Sequence, residues 1–226
     1  MAYYPVFLDM THKPALVVGG GEVAERKVQS LLDVEAKVYL ISRKLSFELK
    51  VKIEDKKVTF LAAEFSPELL DGMFLVIAAT DDNHTNSWVA AEAKRRGILV
   101  NVVDQPEQCT FIVPSVVRRA DLVVAISTSG KSPALARKLR ERLDQEFGPE
   151  YGDFLALMGR IRERVLELKI PQKERKALFQ RLVDSPLLDY HKQGKIGAIR
   201  GMLMDLLPPE VPVEQVMEVI SELRGE

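Results

Sequence analysis

The chain has 226 residues, 46% hydrophobic and 29% charged, with 32 Lys and Arg against 33 Asp and Glu. That balance gives no general pull toward nucleic acid or an anionic membrane, and the length supports one full core plus a smaller second domain. One cysteine, Cys109, excludes an internal disulfide framework, and neither a signal peptide nor the ~20-residue apolar run of a membrane span is read, so a cytoplasmic protein is expected.

In the first half, apolar strands alternate with amphipathic helices. Strands are expected over 15–18, 37–41, 58–61, 74–78 and 98–102, and helices over 22–32, 46–53 and 83–96. Continuous apolar strands between helices predict a parallel, doubly wound, Rossmann-like α/β sheet. Residues 1–9 are expected to add an edge strand, because Pro5 suits an edge and not the middle of a sheet. The character changes near Pro114. One more strand is expected over 122–126, Ser132 and Pro133 read as an N-cap and first helical position, and Leu135, Leu139, Leu143 and Phe147 mark a helical stripe. Beyond Gly152 only helical patterns follow, over 153–168, 172–183, 195–206 and 213–223. The domains are therefore read as 1–113, a nucleotide-binding unit, then a segment over 114–150, then a small all-helical domain over 151–226.

The most informative motif is Ala-Leu-Val-Val-Gly-Gly-Gly-Glu-Val-Ala, running from Ala15 to Ala24. A strand enters a Gly-x-Gly-x-x-Ala turn that opens a helix, which is the context a dinucleotide pyrophosphate requires. Gly19 permits the tight turn, Gly21 keeps a Cβ out of a phosphate's way, and Ala24 lets the helix pack closely on the strand. The free N–H groups of Glu22 and Val23 then face an anion. At the end of the fourth strand Thr80 and Asp81 reach the edge where ligands bind such sheets, although Asp81, Asp82 or Asn83 is equally read as a helix cap. Asp104, after the fifth strand, falls on the same edge. There it is either a solvated loop residue or a carboxylate placed to take a proton as hydride leaves.

The stretch Ala125–Ser132 fits a relaxed phosphate-loop pattern and offers a rival reading, a nucleoside triphosphatase. Pro133 opposes it, and the helical remainder cannot build a parallel sheet. Otherwise the segment is a hydroxyl-rich turn in basic surroundings, with seven Lys or Arg between Arg118 and Arg142 against Asp121 and Glu141. Such a run is either the solvated face of a helix or a clamp for a polyanionic substrate, with Lys131 and Arg137 flanking the turn. His12, His84 and His191 lie far apart, so no metal site is expected.

Several blocks occur together in order. They are Pro5 with Phe7, Val17 to Lys27, Ala78 to Asp82, Asn101 to Asp104, Phe111 to Ser115, and Ser132 to Arg137. In these the chain resembles the precorrin-2 dehydrogenase/sirohydrochlorin ferrochelatase family of siroheme biosynthesis, over about Tyr4 to Leu143. The resemblance implies NAD-dependent dehydrogenation of precorrin-2, a polycarboxylated tetrapyrrole, to sirohydrochlorin, with ferrous ion inserted as a further substrate in some members. It also implies a homodimer, with 114–150 as the dimerisation and active-site segment. Longer members fuse a methyltransferase, so a separate uroporphyrinogen methyltransferase is expected upstream.

By the resemblance Asp104 matches the catalytic aspartate, Gly21, Glu22 and Val23 the cofactor loop, and Arg43 and Lys44 the place of the adenosine ribose. Ser127 and Thr128 are read with Lys131 and Arg137 as substrate-binding. Thr128 stands where some members carry a phosphorylatable serine; the hydroxyl is kept. The resemblance implies NAD, whereas Ser42-Arg43-Lys44, lacking the usual ribose-binding acid, suits the 2′-phosphate of NADP. A nucleotide- or redox-sensing module without turnover is the alternative function.

Overall fold

The computed structural model describes residues 3–224, with side chains described over residues 3–220. Two compact units divide the chain, residues 1–113 and 114–226.

The first unit runs β1 (Pro14–Val18), α1 (Glu22–Leu32), β2 (Lys37–Ile41), α2 (Phe47–Glu54), β3 (Val58–Ala62), β4 (Leu75–Ala78), α3 (Asn83–Arg95) and β5 (Leu99–Val102). The five strands form a sheet in the order β3-β2-β1-β4-β5, every pair parallel. This is the expected doubly wound arrangement. Alternate residues of each strand feed opposite cores. Ala15, Val17, Leu40 and Ile77 pack with Val28 and Leu31 of α1 and Leu49 of α2. Leu16, Val18, Val76 and Val100 pack with Val89 and Ala93 of α3. Burial on both faces is why the strands read as unbroken apolar runs. Val18 pairs with Ile41 and with Ala78, and Ala78 with Val102, so four strands end level. Gly19, Ser42, Ala79 and Val103 consequently emerge along one edge.

The expected edge strand is absent: residues 3–9 carry no strand, and residues 1–2 lie outside the described residues. Pro5 lacks a donor, and the His12 N–H bonds the Glu35 carbonyl at 2.8 Å, so the segment enters beneath the central strand and not at an edge. Tyr4, Val6 and Phe7 are exposed.

In the second unit, β6 (Ser115–Arg119) and β7 (Leu122–Ile126) form a separate antiparallel hairpin, so β7 does not extend the sheet. The helices α4 (Pro133–Glu146), α5 (Glu150–Glu167), α6 (Gln172–Asp184), α7 (Leu187–Lys192), α8 (Ile196–Leu206) and α9 (Val213–Arg224) follow. Leu157, Ile161, Leu182, Leu187, Ile199, Leu203, Val216 and Ile220 make the shared core of α5 to α9. Helix α5 begins earlier than expected because Gly152 is a packing position and not a break. A Cβ there would lie 3.1 Å from the Arg119 carbonyl oxygen and 3.2 Å from the Ala120 Cβ.

On α3, Glu92 accepts from Arg95 at 2.6 Å and from Arg96 at 2.8 Å, and Arg96 also pairs with Asp71. The Arg95 guanidinium first, and Arg96 second, hold the Glu92 carboxyl far below its ordinary range, at about 2. Its folded value lies below the unfolded one, so the contribution to stability is complete above about pH 4.5 and is lost as pH falls toward 2. Glu92→Gln is expected to flatten the acid limb of stability across that window, as read by denaturant titrations at stepped pH; an unchanged limb would show that these pairs do not contribute to acid sensitivity.

Candidate functional site

The glycine turn after β1 is built from three different requirements. Gly19 sits at φ +134°, and a Cβ there would lie 2.2 Å from the Ala79 carbonyl oxygen, so no side chain fits. A Cβ on Gly20 would meet the Lys44 carbonyl oxygen at 2.0 Å and Ser42 Oγ at 2.4 Å. Gly21 has an ordinary extended backbone (φ −89°, ψ −174°), and a Cβ there would meet nothing within 4 Å. The fold itself therefore does not demand glycine at 21. What it leaves is open space before the first turn of α1, which no side chain caps. Glu22 is exposed and Val23 half-buried, while Ala24 is buried against β1 as the motif requires.

The loop after β2 is stitched to this turn. The Gly19 N–H donates to the Ile41 carbonyl at 2.8 Å and the Ser46 N–H to the Gly20 carbonyl at 2.9 Å. Ser46 Oγ donates to Glu25 at 2.9 Å and accepts the Leu49 N–H, capping α2. Ser42 Oγ donates to the Lys44 carbonyl at 2.6 Å. Arg43 and Lys44 are thereby held beside the glycine turn, both exposed, with Arg43 paired to Glu64 at 3.0 Å.

After β4, Thr80 is locked to Asn86, a buried polar residue on α3. The Thr80 hydroxyl donates to Asn86 Oδ1 at 2.8 Å, and Asn86 Nδ2 donates to the Thr80 carbonyl at 2.9 Å. Asp82 is the cap of α3, accepting from the N–H groups of His84 and Thr85, and its carboxyl lies below the usual range because of the Thr85 hydrogen bond first and His84 second. Asp81 stays exposed at the edge.

Asp104 is exposed in the turn after β5 and holds a left-handed backbone, φ +61°. Such a conformation is uncommon outside glycine and, where it persists, is over-determined by its surroundings. Here both flanks are pinned. The Val103 N–H donates to the Ala78 carbonyl at 3.0 Å. Gln105 Nε2 donates to Asn83 Oδ1 at 2.8 Å, and Gln108 Nε2 donates to Gln105 Oε1 at 2.6 Å and to Ser87 Oγ at 2.9 Å. Cys109 closes the loop, its sulfur accepting the Val102 N–H at 3.2 Å. Sequence reading missed these supports, because glutamines in a loop carry no periodic signal; Asn86 was detectable as a polar residue three before Val89 on the apolar face of α3.

In the second unit, Ser127 and Thr128 turn their hydroxyls inward on the β7–α4 turn, accepting the N–H groups of Ser129 and Ser132 at 3.0 and 3.1 Å. Ser132 caps α4 by accepting from Leu135, as expected. Lys131 is exposed, and Arg137 is paired with Glu141 at 2.8 Å, which spends part of the basic excess. The phosphate-loop reading fails on architecture, since β7 pairs antiparallel with β6 and belongs to no parallel sheet. Among the described residues no three His, Cys, Asp or Glu are placed to hold a metal, and no helix is long and apolar enough to cross a membrane.

Gly19, Gly21, Glu22, Val23, Arg43, Lys44, Thr80, Asp81 and Asp104 thus gather on one sheet edge of the first unit, while Ser127, Thr128, Lys131 and Arg137 surround one turn of the second. A parallel sheet of this order with a glycine turn at its switch point defines a Rossmann-type protein. Comparison with known proteins narrows the class. Three family descriptions match in chain order: Putative NAD(P)-binding over 6–115, Sirohaem biosynthesis protein central over 119–146, and Sirohaem synthase dimerisation region over 150–207. Siroheme synthase 2 of Yersinia pestis is 46% identical over 180 residues, covering 80% of this chain and 38% of that protein. Siroheme synthase of Nitrosomonas europaea is 38% identical over 208 residues, covering 92% and 44% respectively. A solved structure described as a precorrin-2 dehydrogenase superposes with a TM-score of 0.72 over 99% of this chain and 100% of its own, at 21% identity, which bears on the fold alone. The chain belongs to the siroheme synthase family. It spans less than half the length of these curated relatives, 38% and 44%.

Proposed function

We propose that this chain dehydrogenates precorrin-2 to sirohydrochlorin with a nicotinamide dinucleotide, NAD in the family it resembles, as hydride acceptor. The observation that carries the reading is the open, uncapped start of α1 at Gly21 on the same sheet edge as the exposed Asp104, whose backbone is left-handed. When bound, the dinucleotide supplies the acceptor carbon for the hydride. The N–H groups of Glu22 and Val23 hold its pyrophosphate, and Arg43 and Lys44 lie toward its adenosine end. Removing two hydrogens as a hydride and a proton leaves the proton to be taken up, and Asp104 is the carboxylate placed for it. Thr80, through Asn86, and Asp81 shape the wall between them. The match to a dimerisation region over 150–207 supports a homodimer.

Purified protein, precorrin-2 and dinucleotide are expected to give sirohydrochlorin and reduced dinucleotide together, followed by absorbance. Binding of the dinucleotide without turnover would favour the sensing module instead.

Ser127, Thr128, Lys131 and Arg137 are proposed to meet the carboxylates of the tetrapyrrole. Its KM is then expected to climb steeply with salt, and Lys131→Ala to raise it roughly three- to tenfold. Arg137→Ala should do less, because Glu141 already shares its charge. A salt-independent KM would return these residues to an ordinary solvated surface.

A further inference from the structure

The carboxyl end of β2 lacks the acid that ordinarily accepts both ribose hydroxyls of NAD; Ser42, Arg43 and Lys44 stand there instead. These three line an open cleft of about 510 Å³ together with Lys50 of α2 and Phe60 of β3. The lining thus offers three cations and an aromatic residue, and no carboxylate. Its place relative to the glycine turn is fixed, since Gly20 abuts both Ser42 and the Lys44 carbonyl and receives the Ser46 N–H. A dinucleotide whose pyrophosphate rests at the start of α1 therefore extends its adenosine ribose into this cleft.

Resting on the dinucleotide reading above, we propose that the cleft is a 2′-phosphate subsite and that the chain takes NADP in preference to NAD. A phosphomonoester carries nearly two negative charges at neutral pH and accepts through three oxygens. The planar guanidinium of Arg43 matches two of them, and Lys44 and Lys50 add point charges. Glu64 is the competitor, paired with Arg43 at 3.0 Å, but the two side chains are 70% and 76% exposed, and a pair so exposed is readily exchanged for a phosphate. Phe60, 40% exposed, is the aromatic residue within reach of the adenine.

Calorimetric titration of the full chain with NADP, NAD, 2′-AMP and 5′-AMP tests this. The expected result at low salt is a Kd for NADP at least about tenfold below that for NAD, the same order for 2′-AMP against 5′-AMP, and a ratio that shrinks as salt rises. Arg43→Ala and Lys50→Ala should each reduce that ratio, Arg43→Ala bringing it close to one. NAD binding as tightly as NADP in the unsubstituted protein would overturn the subsite while leaving the dinucleotide site standing. Failure of both dinucleotides to bind would overturn the dinucleotide reading itself.

Discussion

Alanine at position 104 is expected to leave dinucleotide affinity within about twofold of the parent and to cut turnover on the order of 10²-fold or more. The two halves of that outcome follow from separate geometry. The dinucleotide is proposed to rest on the glycine turn and on backbone N–H groups of α1, and Asp104 belongs to neither. Its carboxylate stands exposed at the end of β5, in a turn fixed by Val103, Gln105, Gln108 and Cys109. Those supports remain when the side chain is trimmed, so the loss reports the missing proton acceptor and not a collapsed loop. The left-handed backbone at φ +61° adds a control. Asp104→Asn keeps the shape and tolerates that conformation as aspartate does, so it should be folded and inactive, whereas alanine bears some strain. Ferrous insertion into sirohydrochlorin, if the protein performs it, should fall in parallel, because pyrrole protons then need the same acceptor. Parent-like turnover in both variants would remove Asp104 from the chemistry.

Gly21→Asp is expected to abolish measurable dinucleotide binding while the protein folds normally. Glycine substitutions usually confound fold with function, and the neighbouring Gly19 and Gly20 would do so here, since a Cβ on either strikes backbone at 2.2 or 2.0 Å. Gly21 is different. Its backbone suits any residue, and its missing Cβ faces open space. The Cβ of an aspartate there meets nothing within 4 Å, and at the amino end of a helix its charge even favours the empty protein. Against an entering pyrophosphate the same carboxylate presents bulk and repulsion at the point of closest approach. Calorimetry should show no heat of binding, with a circular dichroism spectrum and melting temperature at or above those of the parent. Unchanged affinity in the folded variant would move the nucleotide site away from this turn.

Much of the first unit was legible because its sheet is buried on both faces, which writes β1, β2 and β4 as continuous apolar runs, and because Gly19 and Gly21 stand at fixed offsets after a strand. Signals failed where structure depends on partners distant in sequence. Val116 and Val117 are followed at once by Arg118 and Arg119, too short an apolar run to announce β6, which exists through its pairing with β7. Helix α7 has six residues and no room for a period. Gly152 read as a break because its role, making space for the Arg119 carbonyl, is invisible locally. The edge strand expected over 1–9 from Pro5 is absent over the described residues 3–9, since a proline that suits an edge does not by itself supply a partner strand. At the site, the positions of Asp104 and the glycine turn were readable. The glutamine supports were not, since side-chain hydrogen bonds leave no periodic trace, and Asn86 showed only as a polar break in the apolar face of α3, with nothing to name Thr80 as its partner.

The left-handed turn at Asp104 sets two kinds of selection against each other. Glycine, with no Cβ to oppose a positive φ, is the residue that this backbone accommodates most easily, and asparagine is a close second. A library of variants screened for thermal resistance alone should therefore drift at position 104 toward those two residues, yielding sturdier proteins that no longer turn over. One screened for product should hold aspartate and look elsewhere for stability. Stabilising this protein is then safest in its helical core or on its surface, and least safe at the angle where its proposed chemistry is held.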